Sequence, residues 1–244
     1  MTIAKGFCTS AAEPYQNFRL QSLDVDWFYT WGRTPNLGTP VNDFTPMIWG
    51  RKSATAATIA EIDSHYPEYN NTYLLGFNEP DLASQANMSV DEAVSLWPIL
   101  EQSRAKLVSP ATTHPRAAWM NEFMAKAVER ELRIDAVALH IYQSPDVGTF
   151  LKKVDEAWEK WGKNIWITET CVADWDAVTK EDNRFTRPQI NDYLQGVWDG
   201  LQSRPYVTRF SWKTRAFTDP TMGTGALFDS DGNRTSTAHL YTSF

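Results

Sequence analysis

The sequence predicts a single-domain (β/α)₈ TIM barrel, on three observations. Short apolar segments recur along the chain as continuous runs, which is typical of strands that are buried on both faces. Segments with helical periodicity lie between them. The length of 244 residues suits one compact barrel, and no linker or charge run divides residues 1–244. We therefore expect one domain over the whole chain.

The apolar runs define eight predicted strands: 3–8, 25–31, 44–50, 72–79, 105–111, 134–142, 164–170 and 208–214. The helical pattern is clearest in 89–102, 146–161 and 186–203. The first of these helices opens on Ser89 with Glu92 three residues later, and the third opens on Thr186 with Gln189. This spacing is that of a capping box, in which each side chain bonds the other residue's backbone N–H.

The second crossover of the predicted barrel is irregular. Residues 32–43 contain glycine and proline but no helical period, so we expect the second helix to be reduced or absent. A doubly wound open sheet is the alternative fold. No glycine-rich phosphate loop supports that alternative.

Composition narrows the class of function. A net charge of −7 and a pI near 5.1 argue against a nucleic-acid partner, and no run of about 20 apolar residues suggests a membrane partner. No signal peptide is visible, so the compartment stays open, although a secreted mature form would suit an extracellular substrate. Cys8 and Cys171 end strands that are not adjacent in a barrel, and we expect free thiols.

The stretch LLGFNEPDL, residues 74–82, ends an apolar strand on an amide, a carboxylate and a proline. Pro80 has no N–H for a central ladder, so the strand should stop at Glu79. In a barrel, the C-terminal strand ends meet on one rim, where active sites form. Reading those ends in order brings together Cys8, Tyr29, Trp31, Trp49, Asn78, Glu79, Ser109, His140, Tyr142, Glu169 and Trp212.

Glu79 and Glu169 are the candidate catalytic residues. A single rim glutamate is usually a surface salt bridge, but two of them among aromatic side chains match the carboxylate pair that glycoside hydrolysis needs. The indoles and phenols then serve as platforms for sugar rings. No nucleophile elbow, Walker loop or zinc motif competes, and with four histidines we expect neither a metal nor another cofactor.

Several motifs in order along the chain resemble glycoside hydrolase family 128, within the clan A type of glycosidase barrel. They are WFYTW (27–31), TPMIWG (45–50), GFNEPD (76–81), SPA (109–111), ALHIY (138–142), WITE (166–169), FSW (210–212) and LFDSDGN (227–233). The resemblance implies a compact barrel that cleaves β-1,3-glucan with retention of configuration. By motif, it implies that Glu79 is the acid/base and Glu169 the nucleophile.

Roles for the other rim residues follow from this assignment. Tyr142 could donate a hydrogen bond to Glu169, and Asn78 could bind the sugar 2-hydroxyl. Trp212 is the expected platform at the cleavage point, with Trp31 and Trp49 at neighbouring subsites. Tyr29 is a further candidate substrate contact.

His140 has two interpretations from the sequence. It could contact the sugar, or it could satisfy a buried hydrogen bond inside the barrel.

The leading functional prediction is a monomeric, retaining, endo-acting β-1,3-glucan hydrolase. One alternative is a clan A type hydrolase of another β-linked polysaccharide, such as a mannan or xylan, because groove shape rather than the carboxylate pair selects the linkage. The other is a carbohydrate-binding barrel without activity, although retention of both glutamates and Asn78 argues against it.

Overall fold

The computed structural model describes residues 2–9, 20–35, 43–69 and 72–244. In this part of the chain, seven strands form one parallel sheet: β1 (Ala4–Cys8), β2 (Trp27–Tyr29), β3 (Tyr73–Leu75), β4 (Lys106–Val108), β5 (Ala136–Gln143), β6 (Asn164–Val172) and β7 (Val207–Lys213). Their order is β2-β1-β7-β6-β5-β4-β3. The chain is therefore an α/β protein with a curled parallel sheet.

The predicted strand at 44–50 is present only as two isolated parallel bridges. Phe44 bridges Phe28 of β2, and Met47 bridges Leu75 of β3. Between them lies Pro46, which has no N–H to donate and so interrupts a regular ladder. Its carbonyl still accepts the Leu75 N–H at 2.9 Å. Seven of the eight predicted strands are thus regular. The remaining segment, 44–50, pairs with β2 on one side and with β3 on the other.

The predicted irregular second crossover lies partly outside the described residues. Residues 32–35 and 43 are not helical, and residues 36–42 lie outside the described part of the chain.

Helices cover the outer face of the sheet: α1 (Ala56–Tyr69), α2 (Val90–Leu100), α3 (Ala118–Glu129), α4 (Val147–Trp161), α5 (Arg187–Gln202) and α6 (Ser236–Thr242). Thr186 and Gln189 form the predicted capping box at the start of α5. At α2 only half of the predicted box forms, because Ser89 accepts the Glu92 N–H while the Glu92 carboxylate bonds Arg51. No described helix combines the length and apolarity that crossing a bilayer requires.

The core has two layers. The larger lies between the sheet and the helices, and the smaller fills the inside of the curled sheet, where Trp27, Tyr29 and Trp166 pack together. Cys8 and Cys171 are buried free thiols, as predicted.

The N-terminal end of the sheet is filled by one cation among aromatic rings. The Arg209 guanidinium lies 4.4 Å from the ring centroid of Trp166, 5.2 Å from that of Trp27 and 5.3 Å from that of Tyr73. Burial lowers the pKa of this guanidinium to about 10. The candidate carboxylates lie at the opposite end of the strands.

Candidate active site

The site lies in a cleft of about 410 Å³ at the C-terminal ends of the strands. Its walls come from residues at or after the C-terminal ends of β2 to β7, as the barrel prediction requires. The lining residues are Trp31, Trp49, Asn78, Glu79, Leu82, Gln85, Thr113, Tyr142, Glu169, Trp175, Lys213, Arg215 and Met222.

Glu79 follows β3 in a left-handed backbone conformation, with φ of 40°. Such a conformation costs an L-residue roughly 1–2 kcal/mol, so the surroundings must impose it. The Glu79 N–H donates to the Ala111 carbonyl at 2.7 Å, and Asp81 accepts the Thr113 hydroxyl at 2.6 Å. The turn that Pro80 begins is therefore held on both sides of the glutamate, and its carboxylate is directed into the cleft.

Gly76 explains how this segment fits against the helical layer. A Cβ on Gly76 would lie 2.9 Å from the Trp97 ring of α2 and 2.9 Å from the Val108 carbonyl. Only glycine allows both contacts. The strand that leads to Glu79 can therefore pack directly under α2.

Glu169 reaches the cleft because of a β-bulge. In the pairing of β5 with β6, Leu139 lies opposite Ile167 but His140 lies opposite Glu169, so Thr168 is an extra residue. Trp166 packs inside the sheet and Ile167 packs outside, so strict alternation would direct Glu169 outward. The bulge reverses this direction and turns the carboxylate inward.

Three ring groups donate hydrogen bonds to the Glu169 carboxylate. Oε1 accepts the Tyr29 hydroxyl at 3.1 Å and the Trp31 Nε1–H at 2.8 Å, and Oε2 accepts the Tyr142 hydroxyl. Together, Tyr29, Trp31 and Tyr142 form the ring-donor set of Glu169. Burial, and next the Glu169 charge, raise the pKa of both tyrosines well above the usual value, so both remain donors.

Nearby cations keep Glu169 ionised despite its burial. Burial alone would raise the pKa of this carboxyl. The charges of His140 and Lys213 and the bonds from Tyr142 and Trp31 outweigh burial and lower it to about 2. Glu169 is a carboxylate throughout the range in which enzymes usually work.

His140 lies between the two glutamates. Its Nδ1 is 2.9 Å from Glu79 Oε1, and its Nε2 is 3.4 Å from Glu169 Oε1 without hydrogen-bond alignment. Burial lowers the pKa of the imidazole, but the charge of Glu169 and the bond to Glu79 outweigh this effect and raise it overall. The two glutamates therefore favour the charged form of this imidazole.

The ligand atoms of Glu79, His140 and Glu169 lie within 4.8 Å of one another, a spacing that a metal ion could also use. Two features of these three residues favour acid–base chemistry over metal binding. His140 Nδ1 already bonds Glu79, and the ring-donor set bonds both oxygens of Glu169. The expectation that no metal takes part stays a prediction.

Asn78 lines the cleft beside Glu79. Its Nδ2 donates to Gln85 Oε1 at 3.2 Å, whereas its buried Oδ1 has no hydrogen-bond partner among the described residues. A buried acceptor that borders a cleft suits a hydroxyl donor from a ligand.

The predicted aromatic contacts divide into two groups. Trp31, Trp49 and Tyr142 line the cleft, whereas Tyr29 and His140 are buried behind it and contact the carboxylates. Substrate contact by Tyr29 is therefore not supported. For His140, the buried hydrogen bond is the interpretation that the structure favours.

The prediction that Trp212 is a sugar platform is wrong. Its side chain is fully buried, and its Nε1–H donates to the Gly225 carbonyl at 3.0 Å. Phe210 and Trp212 both face the helical layer, so the next residue, Lys213, faces the cleft. The prediction therefore placed Trp212 in the cleft, whereas the next residue, Lys213, is the one that faces it.

Sequence reasoning also missed residues that line the cleft. Trp175 is 65% exposed, and its ring centroid lies 6.1 Å from that of Tyr142. A tryptophan in a polar loop directly after β6 was the available signal. Lys213 was visible as the last residue of an apolar run, but nothing in its spacing indicated which way it faces.

Fold and site together define a glycoside hydrolase: two carboxylates face each other in a cleft at the strand ends, which Trp31, Trp49 and Trp175 also line. The sequence matches the family described as glycosyl hydrolase catalytic core over residues 6–241, and the chain belongs to that family. A comparison with curated protein sequences found no match.

Solved structures of glycoside hydrolase family 128 are similar over nearly the whole chain. A subgroup I endo-β-1,3-glucanase from Amycolatopsis mediterranei, in complex with laminaritriose, is 28% identical with a TM-score of 0.85, covering 99% of both chains. A subgroup II endo-β-1,3-glucanase from Sorangium cellulosum is 24% identical with a TM-score of 0.78, covering 98% of both. A subgroup VII oligosaccharide-binding protein from Trichoderma gamsii is 21% identical with a TM-score of 0.69, covering 99% of this chain and 93% of that one. The resemblance found in the motifs is confirmed.

Proposed function

We propose that the protein is a retaining, endo-acting β-1,3-glucan hydrolase in which Glu79 is the acid/base and Glu169 the nucleophile. The observation that carries this proposal is the carboxylate spacing: oxygens of Glu79 and Glu169 approach within 4.8 Å. Retaining glycosidases hold their carboxyl groups about 5–5.5 Å apart, whereas inverting enzymes need about 6.5–9.5 Å to admit a water. This close approach agrees better with the retaining spacing than with the inverting one and supports direct attack by a carboxylate.

In the first step, Glu169 attacks the anomeric carbon while Glu79 protonates the departing glycosidic oxygen. A glycosyl–enzyme ester forms as the bond to the leaving glucan breaks. The Glu79 carboxylate that remains is stabilised by the His140 Nδ1–H. In the second step, Glu79 takes a proton from water, and the resulting hydroxide displaces Glu169 and releases the sugar with its original configuration.

The ring-donor set limits what Glu169 can do. Together with the charges of His140 and Lys213, its bonds keep the carboxylate ionised, and they hold it in one orientation, which favours attack at carbon over proton transfer. Asn78 Oδ1 is free to accept the sugar 2-hydroxyl, a bond that strengthens as the oxocarbenium ion develops. Trp31, Trp49 and Trp175 supply the faces on which sugar rings stack.

The choice of substrate rests on the neighbours. The 28%-identical subgroup I enzyme is described as an endo-β-1,3-glucanase and holds laminaritriose. We infer the same linkage for this chain, together with one catalytic domain over residues 1–244. We also infer a closed (β/α)₈ barrel, in which residues 44–48 take the place of the remaining strand.

The test is a polysaccharide panel with product analysis. Purified protein is incubated with laminarin, mannan and xylan, and products are separated by chain length. The double variant Glu79→Gln, Glu169→Gln serves as the control. We expect a series of oligosaccharides from laminarin alone. In proton NMR, the new reducing ends should appear first as the β-anomer.

Three results would contradict parts of this proposal. Turnover of mannan or xylan in place of laminarin would contradict the linkage. Release of the α-anomer first would contradict retention. Binding of laminarin without turnover would contradict catalysis and identify a carbohydrate-binding protein.

A further inference from the structure

Lys213, the last residue of β7, lies in the cleft against one of the Glu169 donors. Its Nζ is 3.7 Å from the ring centroid of Trp31, a close cation–π contact. Both side chains line the same cleft as Glu169. Among the described residues, no carboxylate oxygen lies within the 4.0 Å that defines an ion pair with Lys213.

The backbone of Trp31 is strained. It has φ of 57°, in the left-handed region that large L-residues avoid. In this conformation its Nε1–H reaches Glu169 Oε1 at 2.8 Å. The indole therefore depends on surrounding packing to stay in the position from which it donates.

We propose that Lys213 is a positioning residue for Glu169, which holds the Trp31 indole in its donating position and supplies a cationic field without bonding the carboxylate itself. This inference rests on the proposed function of the site, in which Glu169 is the nucleophile. An ammonium bonded directly to the carboxylate would compete with the anomeric carbon for its lone pairs. A cation held on the indole stabilises the charge and leaves the second lone pair of Oε2, which accepts only the Tyr142 bond, available for attack.

Two observations make this arrangement specific to Lys213. Burial has the largest effect on the pKa of Glu169 and raises it; among the groups that nevertheless bring this pKa down, Lys213 has the second largest effect, after His140. The adjacent Trp212 faces the other side of the sheet, so β7 presents only the lysine at this position of the cleft.

The first test does not depend on glucan turnover. The indole Nε1–H of Trp31 is observed by ¹⁵N NMR, assigned through its loss in Trp31→Phe, and followed as the pH falls. Its shift reports protonation of the carboxylate to which it donates. We expect the midpoint to rise by about one pH unit in Lys213→Met and to remain near the wild-type value in Lys213→Arg.

The second test is kinetic and uses laminarin at pH 6. Lys213→Met is expected to lower kcat by roughly 3- to 30-fold, with a smaller change in KM, because a cation–π contact of ordinary strength is lost. In the double variant Lys213→Met, Trp31→Phe, the fold-decrease in kcat should be smaller than the product of the fold-decreases in the two single variants. Lys163→Met, at an exposed lysine, is the control and should match the wild type.

An unchanged NMR midpoint in Lys213→Met would overturn the proposal, and so would additive kinetic losses. If Lys213→Met does not fold, Lys213→Gln is used with the same expectations. Should the wild type fail to hydrolyse any glycan, the proposed function fails, while the NMR titration still decides whether Lys213 positions Trp31 and Glu169.

Discussion

The two glutamates of the cleft lie in very different surroundings. Glu79 follows a short strand on a strained turn, has 12% of its side chain exposed, and bonds one described side chain, His140. Glu169 lies within the long strand β6, has 7% exposed, and accepts hydrogen bonds from the whole ring-donor set. Glu79 therefore has one side-chain hydrogen bond, to a titratable group, whereas Glu169 has three hydrogen bonds from neutral donors as well as the nearby charges of His140 and Lys213.

This difference matches the two tasks of a retaining glycosidase. An acid/base must give up a proton and take one back in each cycle, so a hydrogen bond to a titratable group suits it. A nucleophile must stay ionised and aligned, which fixed donors ensure at little reorganisation cost. Two residues of the same type therefore differ in role because of what surrounds them.

The largest expected effect comes from Glu169→Gln. The amide cannot form the glycosyl ester, so hydrolysis of every substrate should fall by about 10⁵- to 10⁶-fold, the loss typical of a missing nucleophile. Initial rates on laminarin and on an aryl β-glucoside measure it. An aryl β-glucoside that still turns over at a tenth of the wild-type rate would show that Glu169 is not the nucleophile.

The next effect depends on the leaving group. Glu79→Ala should lower the rate on laminarin by about 10²- to 10⁴-fold, because a sugar alcohol needs a proton to depart. An activated aryl group leaves without one, so a fast burst of phenol should precede slow hydrolysis of the intermediate. Pre-steady-state kinetics resolve the two phases, and equal losses of the burst and of laminarin turnover would remove the acid role.

Trp212→Phe distinguishes a core residue from a sugar platform. The smaller ring leaves a cavity and loses the bond to Gly225, so the free energy of unfolding should fall by about 1–3 kcal/mol. Activity of the folded fraction should stay within about threefold of the wild type. Trp49→Phe is the matched variant, for which KM should rise with little loss of stability. Urea unfolding and laminarin kinetics on both variants supply the measurements.

The smallest effect is a change in the pH dependence of stability. The pKa of Glu169 is about 2 in the fold, below the ~4.3 of an unfolded glutamate, so the stability that it contributes is present above pH ~4.3 and is lost as the pH falls toward 2. Between pH 5 and pH 2.5, the wild type should lose more unfolding free energy than Glu169→Gln. Glu129→Gln controls for the removal of one exposed charge. Parallel curves for wild type and Glu169→Gln would contradict the lowered pKa.

Sequence patterns predicted the strands and the cleft well. Continuous apolar runs mark the strands locally, and active sites of barrels form at the C-terminal ends of those strands. Pro80 showed that the strand ends at Glu79, and the end of the seventh predicted strand placed Glu169 on the same rim. Sequence patterns could not show that the bulge at Thr168 turns Glu169 inward, since a bulge depends on pairing with β5 and β7. The error at Trp212 has the same origin, because a one-residue uncertainty in where β7 ends exchanges Trp212 and Lys213 between the two faces.

The contrast between the two carboxylates is tested most directly by the stereochemistry of azide rescue. Azide needs no general base, so it should restore turnover of an aryl β-glucoside by Glu79→Ala through attack on the covalent intermediate, which gives the β-glycosyl azide. In Glu169→Ala, azide would enter the space that the nucleophile vacates and give the α-glycosyl azide. Proton NMR of the isolated products distinguishes the two configurations. An α-azide from Glu79→Ala would contradict the account and show that the two glutamates have the opposite roles.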